Sequence, residues 1–438
     1  MSGLLSAMAA VAAAATSISI HQYDGLALSP KGDLVATVEF IEVSDASQDP
    51  HGQIVVRRRA DGAVLGTYDP CAVCRYANPT WSPDGRSLAF VATDGKAKTA
   101  SLQVLGDGRL RVAASFNGLL ATPRWSPDGK TLAVLATADP HKESGATQAG
   151  AARVGDIDVR PDERRVAVLP AEGGEVRFVS PGDTFVYEYD WTPDGKGFVA
   201  SAARGDGDNN WWVARLLAFE VARDGAREIA APVTQFNTPR VSPDGKTVVF
   251  IGGLMSDFGP VGGDLYAVPF AGGTPVNRTP GFKGSFSSLV WTRAGLYATA
   301  LIGDRNTIAK VDPVSFAVKP VWSDQVSLAA GDGKIALSAD ARTAAGVSQS
   351  FAFAPRIVAG PVAAMIPITH DNDALTPATR ARSIAWKNEG LDVQGWLLAP
   401  LGLEAGKTYP MVVQIHGGPA SAAQPNFIWK GPIHDLLA

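Results

Sequence analysis

A short turn that recurs seven times constrains this 438-residue chain more than any other feature. It reads Leu28-Ser29-Pro30-Lys31-Gly32, Trp81-Ser82-Pro83-Asp84-Gly85 and Trp125-Ser126-Pro127-Asp128-Gly129, then Trp191-Thr192-Pro193-Asp194-Gly195 and Val241-Ser242-Pro243-Asp244-Gly245. Two degenerate copies follow, Trp291-Thr292-Arg293-Ala294-Gly295 and Leu337-Ser338-Ala339-Asp340. Counted from Pro30, the steps are 53, 44, 66, 50, 50 and 46 residues. In such a turn proline presets φ, aspartate bonds its own backbone, and glycine accepts the positive φ that closes it. β-rich runs follow the turns at Ser87–Thr93, Thr131–Ala136, Gly197–Ala202 and Thr247–Ile251. The preceding tryptophan ends the previous strand and is expected to pack between sheets. Strand, tight turn, strand describes a hairpin within a blade. A period near 50 residues is that of a propeller and not of a helical solenoid. The expectation is a mainly β chain with a seven-bladed β-propeller, of a lineage without the Trp-Asp and Gly-His signatures of WD repeats.

The 66-residue step marks an insertion, Asp139 to Asp158, read as a rim loop. Composition narrows the function classes. A net charge of −4 leaves no electrostatic footprint for nucleic acid or an anionic membrane. The longest apolar run, Leu4–Ala15, is too short to span a bilayer. It has the length of an export-signal core, with Ala13-Ala14-Ala15 as a cleavage site, although no Lys or Arg precedes it. Residues 1–17 are therefore a candidate signal, giving a periplasmic or secreted location, with a cytoplasmic one as the alternative. Cys71 and Cys74, the only cysteines, have C-x-x-C spacing but no second pair or histidine pair for zinc. Asp69-Pro70 and Asn78-Pro79 make their setting a loop, so a local disulfide is favoured over free thiols or redox chemistry.

The turn repeat ends near Arg356. From Ser383 two β-type runs flank Asn388-Glu389-Gly390, and Gly395-Trp396-Leu397-Leu398 lies in the second. After a Pro/Gly loop, Tyr409-Pro410 leads into the apolar run Met411-Val412-Val413-Gln414-Ile415, then His416-Gly417-Gly418-Pro419. An unbroken apolar run implies a strand buried on both faces, as in a parallel sheet. Strand followed by His-Gly-Gly is where α/β-hydrolases place an oxyanion-hole loop, whose glycine amides approach a substrate carbonyl. With the repeated turns, these motifs resemble the prolyl oligopeptidase family of serine peptidases, which includes dipeptidyl and acylaminoacyl peptidases. The resemblance covers nearly the whole chain and implies a propeller (18–376) followed by the first strands of an incomplete α/β-hydrolase domain (377–438). It implies hydrolysis of short peptides, the propeller acting as a size filter, with no cofactor or metal. It gives the Gly418 amide a role in holding the oxyanion, with His416 and Gly417 shaping the loop.

The family cleaves through Ser, Asp and His, the serine lying in a G-x-S-x-G elbow. That spacing does not occur in these residues; Gly346-Val347-Ser348-Gln349-Ser350 lacks the second glycine. No catalytic triad is therefore nominated, and nucleophile, acid and base are expected beyond Ala438. Weaker candidates for substrate contact are Glu188, Asn209, Asn210, Trp211 and Asp257, each with packing or rim solvation as the plainer account. The charged Asp162–Arg165 run is read as solvated surface. The rival reading is a non-catalytic periplasmic propeller module. Homo-oligomerisation of the full-length protein stays open.

Overall fold

The structure, a computed structural model, describes residues 18–44, 50–140, 162–205, 210–231, 234–255, 258–259, 261–418 and 420–437. The candidate export signal and most of the inserted segment lie outside them.

The described chain is built from antiparallel sheets in sequence order. Sheet A pairs Ser19–Leu28, Leu34–Val43, Gln53–Arg58 and Val64–Tyr68 in turn. A seven-stranded sheet follows, whose halves, B and C, share the long strand Arg109–Trp125. Its first part pairs with Thr99–Gly106 and its second with Thr131–Ala138. Sheets D (from Phe185), E (from Gln235) and F (from Ser285) have four strands each. Sheet G differs: two short pieces, Ser327–Ala329 and Ala336–Leu337, both pair with Thr343–Ser350, so its first strand is interrupted.

Neither face of such a sheet is polar, so each must be covered by a neighbour. Ala36, Val38, Ile54 and Val56 of sheet A pack on Tyr76, Leu88 and Phe90 of sheet B. Sheet C meets sheet D through Leu135, Val166, Tyr189 and Phe198. The last sheet returns to the first through Ala345, Val347, Ile357 and Ala359 against Tyr23, Leu26 and Val35. The sheets thus close into a ring, the propeller arrangement that the repeat predicted. Among the described residues, no strand from one end of the chain joins the sheet at the other. Side-chain packing and polar ties hold the seam. Asn372 accepts from the His21 amide at 2.8 Å and donates to the carbonyls of His21 and Pro355 at 2.8 and 2.7 Å.

Five of the seven copies of the repeated turn share one side-chain bond. Ser82 Oγ donates to Asp84 Oδ1 at 2.6 Å and accepts from the Ser87 amide at 2.9 Å, and Gly85 has φ +72°. The same serine- or threonine-to-aspartate bond recurs at Ser126, Thr192, Ser242 and Ser338. The tryptophans staple neighbouring sheets. The indole Nε1–H of Trp125 donates to the carbonyl of Thr80, and that of Trp191 to the carbonyl of Arg124, each at 3.1 Å. Asp162–Arg165 is less solvated than expected: Arg164 donates to the Val186 carbonyl at 2.8 Å and covers the Phe185 ring, and Arg165 covers Phe178. Aromatic faces beside the run draw both guanidinium groups inward.

Beyond the ring, Thr379–Asn388 and Leu391–Pro400 form the hairpin anticipated around Asn-Glu-Gly. Glu389 (φ +50°) and Gly390 (φ +83°) give it two left-handed central residues, the twist a two-residue hairpin prefers. The apolar run Met411–Ile415 corrects an expectation, because it forms no strand. Val412 and Ile415 are 69% and 84% exposed. The run has the pattern of a buried strand, but no neighbouring strand supplies its ladder. Gln424–Lys430 does dock on the ring, where Asn306 Nδ2 donates to Gln424 Oε1 at 2.8 Å and Phe427 is buried with Ile20 and Ala354. Hydrogen exchange should separate these regions: Met411–Ile415 amides near unprotected rates, Leu132–Ala136 amides slowed by orders of magnitude. Equal protection in both would contradict this arrangement.

Candidate functional site

The first strand of each of sheets A to F carries a one-residue irregularity shortly before the repeated turn. Register shifts fall between Asp24 and Ala27, Ala77 and Thr80, Ala121 and Arg124, Val186 and Glu188, Asn237 and Arg240, and Phe286 and Ser288. Such bulges re-aim the following side chain. Arg124, Asp190 and Arg240 each stand one residue before the repeated turn's first position, and their side chains converge from three sheets. There they meet Asp332 from the interruption in sheet G. Arg124 grips Asp332 with two hydrogen bonds of 2.8 Å, and Arg240 lies 3.3 Å from the same carboxylate. Asp190 is within 3.8 Å of Arg124 and 4.0 Å of Arg240.

Glu188 joins this group. Its Oε2 accepts from the Thr238 amide at 2.5 Å, and Tyr189 beside it donates to the Thr122 carbonyl at 2.6 Å. Burial pushes the Glu188 carboxyl above its ordinary range against the opposing pull of Arg240. Burial likewise raises Asp190, opposed by Arg240 and Arg124. Asp332 goes the other way: although protein surrounds it, the two guanidinium groups hold its carboxyl far below the usual range. Its side chain is nevertheless 55% accessible, so the two arginines leave part of the carboxylate uncovered.

The other nominated residues are not gathered with Glu188. His416, Gly417 and Gly418 lie on an exposed stretch, His416 Nδ1 being 3.1 Å from its neighbour's Gly417 oxygen. Gly418 has φ +140°, open mainly to glycine, and a side chain added at Gly417 would meet nothing within 4 Å. Asn210 donates to the Arg204 carbonyl at 2.6 Å, and Trp211 is buried against Phe258. Asn209 and Asp257 lie outside the described residues. Cys71 and Cys74 form a disulfide, and the Cys71 amide donates to the Tyr76 hydroxyl at 2.7 Å. A groove of about 430 Å³ opens on sheet A beside His21, His51, Gln53 and Arg57. Its buried Glu39 is fully engaged, accepting from Arg57 at 2.9 and 2.7 Å and from Thr37 at 2.7 Å. Among the described residues no cluster of three or more His, Cys, Asp or Glu is placed to hold a metal ion, and no helix is long and apolar enough to cross a membrane.

Sequence reasoning missed Arg124, Arg240 and Asp332. The first two had a signal: Thr122-Pro123-Arg124 and Thr238-Pro239-Arg240 repeat at one offset before the turn. Asp332 had none, since Gly331-Asp332-Gly333 matches no other copy.

No family model matches the chain. Among curated proteins it is similar to the Tol-Pal system protein TolB of Haemophilus influenzae and of Pasteurella multocida. Identity is 34% and 35% over 77 residues, 18% of this chain and 15% of theirs. Among solved structures, an acylaminoacyl peptidase bound to a chloromethyl ketone superimposes with TM-score 0.66 at 15% identity, over 93% of this chain and 62% of that one. The Pyrococcus horikoshii acylaminoacyl peptidase gives 0.64 at 14%, over 89% and 59%. The β-propeller domain of the trilobed protease from Pyrococcus furiosus gives 0.55 at 14%, over 80% of this chain and all of that domain. The chain therefore spans less than two thirds of the whole peptidases and a small part of the TolB proteins. At these identities the likeness establishes the fold, a β-propeller of the kind that accompanies peptidases of the prolyl oligopeptidase family.

Proposed function

We propose that these residues form a seven-bladed propeller, 18–376, and the opening segment of an α/β-hydrolase domain, 377–438, of an exported serine peptidase acting on short peptides. The observation that carries this reading is the coverage of the acylaminoacyl peptidase match, 93% of this chain, which runs beyond the propeller. His416-Gly417-Gly418 fits it as the oxyanion loop: two successive glycines leave amide hydrogens clear to approach a carbonyl. Glu188, Asn210 and Trp211 remain candidates for substrate contact, and the ring is proposed to limit access by size. In this reading Met411–Ile415 becomes a central strand once further strands flank it. Nucleophile, acid and base would come from residues outside these 438.

The TolB match favours a second reading, a non-catalytic periplasmic propeller that binds a partner protein. One experiment separates the two. The 438-residue protein and the full product of its reading frame are each assayed with aminoacyl and acylaminoacyl chromogenic substrates and labelled with a serine-directed phosphonate. The peptidase reading expects no hydrolysis or labelling by the 438 residues and both by the longer product. A reading frame that closes at Ala438 with an inert product overturns it in favour of the binding module. Phosphonate-sensitive hydrolysis by the 438 residues alone would refute the assignment of the triad.

A further inference from the structure

Sheet G departs from the others where its innermost strand should be continuous. Instead of a single-residue bulge, the chain between Ala329 and Ala336 leaves the sheet and returns. This excursion touches four other sheets, A, C, E and F, which lie on different sides of the ring. The Gly331 amide donates to the Leu26 carbonyl of sheet A at 2.8 Å. The Lys334 amide reaches Ser288 Oγ of sheet F at 3.4 Å. Asp332 binds Arg124 of sheet C and Arg240 of sheet E. In a ring, only the axis lies within reach of all four. Two glycines make the fit possible: a Cβ at Gly331 would stand 3.0 Å from the Gly25 oxygen, and one at Gly333, where φ is +105°, 2.8 Å from Ser288 Cβ.

We propose that the Ala330–Lys334 loop is an axial clamp, which holds the ring closed across its centre through the Asp332 carboxylate. Among the described residues the ring's ends exchange no strand, so a tie across the axis adds to the packing and polar bonds at the seam. A carboxylate between two arginines is suited to it, since the bidentate pair fixes direction as well as distance. The clamp is independent of any peptidase activity.

Asp332→Ala removes the carboxylate and leaves both guanidinium groups without their shared partner. Melting temperature is expected to fall by about 5 °C, as expected for an ion-pair network losing its central partner. Amides of 23–28 and 344–359, on either side of the seam, should exchange at least about tenfold faster. Sodium acetate at about 100 mM, against equal sodium chloride, should restore at least half of both losses by occupying the vacated site. Asp332→Asn, which fills the space without the charge, should be weakened and gain nothing from acetate. The same holds for Arg124→Ala with Asp332→Ala, which lacks the bidentate partner. Native melting and seam exchange in Asp332→Ala, or acetate acting equally on every variant, would overturn the clamp.

Discussion

Glu39→Ala is expected to destabilise the ring by about 3–5 kcal/mol, because it strands a buried guanidinium. The Glu39 side chain is 4% exposed and that of its partner Arg57 10%. Burial alone would raise the Glu39 carboxyl, but hydrogen bonds from His21, Arg57 and Thr37 outweigh it and bring the pKa down to about 2 from 4.5. A depressed carboxylate stabilises the folded state above its unfolded pKa. That contribution, on the order of 3 kcal/mol, is complete above about pH 5 and disappears as pH falls from 4.5 towards 2. Urea midpoints taken from pH 6 to pH 2 should therefore decline in the native protein, and less steeply in Glu39→Gln. An identical slope in both would mean that the network carries none of the acid sensitivity. The expectation extends to the seam. His21, which lies 2.9 Å from Glu39, has its backbone tied to Asn372, and Tyr23 donates to Asp371 at 2.5 Å. Loss of Glu39 should loosen the junction of the first and last sheets before the middle of the ring.

The repeat was legible because its chemistry is local. Ser82, Asp84 and Gly85 satisfy one another within a few residues, so the local pattern announces the turn, and seven copies at six similar spacings announce a ring. The hairpin at Asn388–Leu391 was legible for the same reason, since its two left-handed residues are adjacent. The central cluster was not, because its bonds are distant. Asp332 lies 208 residues from Arg124 and 92 from Arg240, and nothing local to Gly331-Asp332-Gly333 fixes where it points. Met411–Ile415 shows the opposite failure. An apolar run records the environment for which it is suited, but a strand also needs partners for its amides and carbonyls, and none stands beside it. Among the nominated site residues, Glu188 was singled out for its setting between two tyrosines. Its neighbours in space, Thr238 and Arg240, came into view only with the fold.

Phe198→Ala is expected to lower stability by about 3–5 kcal/mol, the range for emptying an aromatic site in a packed core. Phe198 is fully buried, with ring centroids 4.1 Å from Trp191, 5.3 Å from Phe219 and 5.6 Å from Tyr189. Alanine opens a cavity bordered by three rings that cannot all move in, since Trp191 is held by the Arg124 carbonyl and Tyr189 by that of Thr122. Leucine keeps most of the apolar volume and should lose less than half as much. The substitution also bears on the channel. The Tyr189 ring lies 5.6 Å from the Arg124 guanidinium, so the aromatic stack backs the arginine that grips Asp332. Phe198→Ala and Asp332→Ala should therefore fail to add, with a coupling of at least about 0.5 kcal/mol in a double-mutant cycle from urea unfolding. Strict additivity would make the stack a core feature without influence on the charges it borders. Coupling would show that the packing between sheets C and D sets the geometry of the channel.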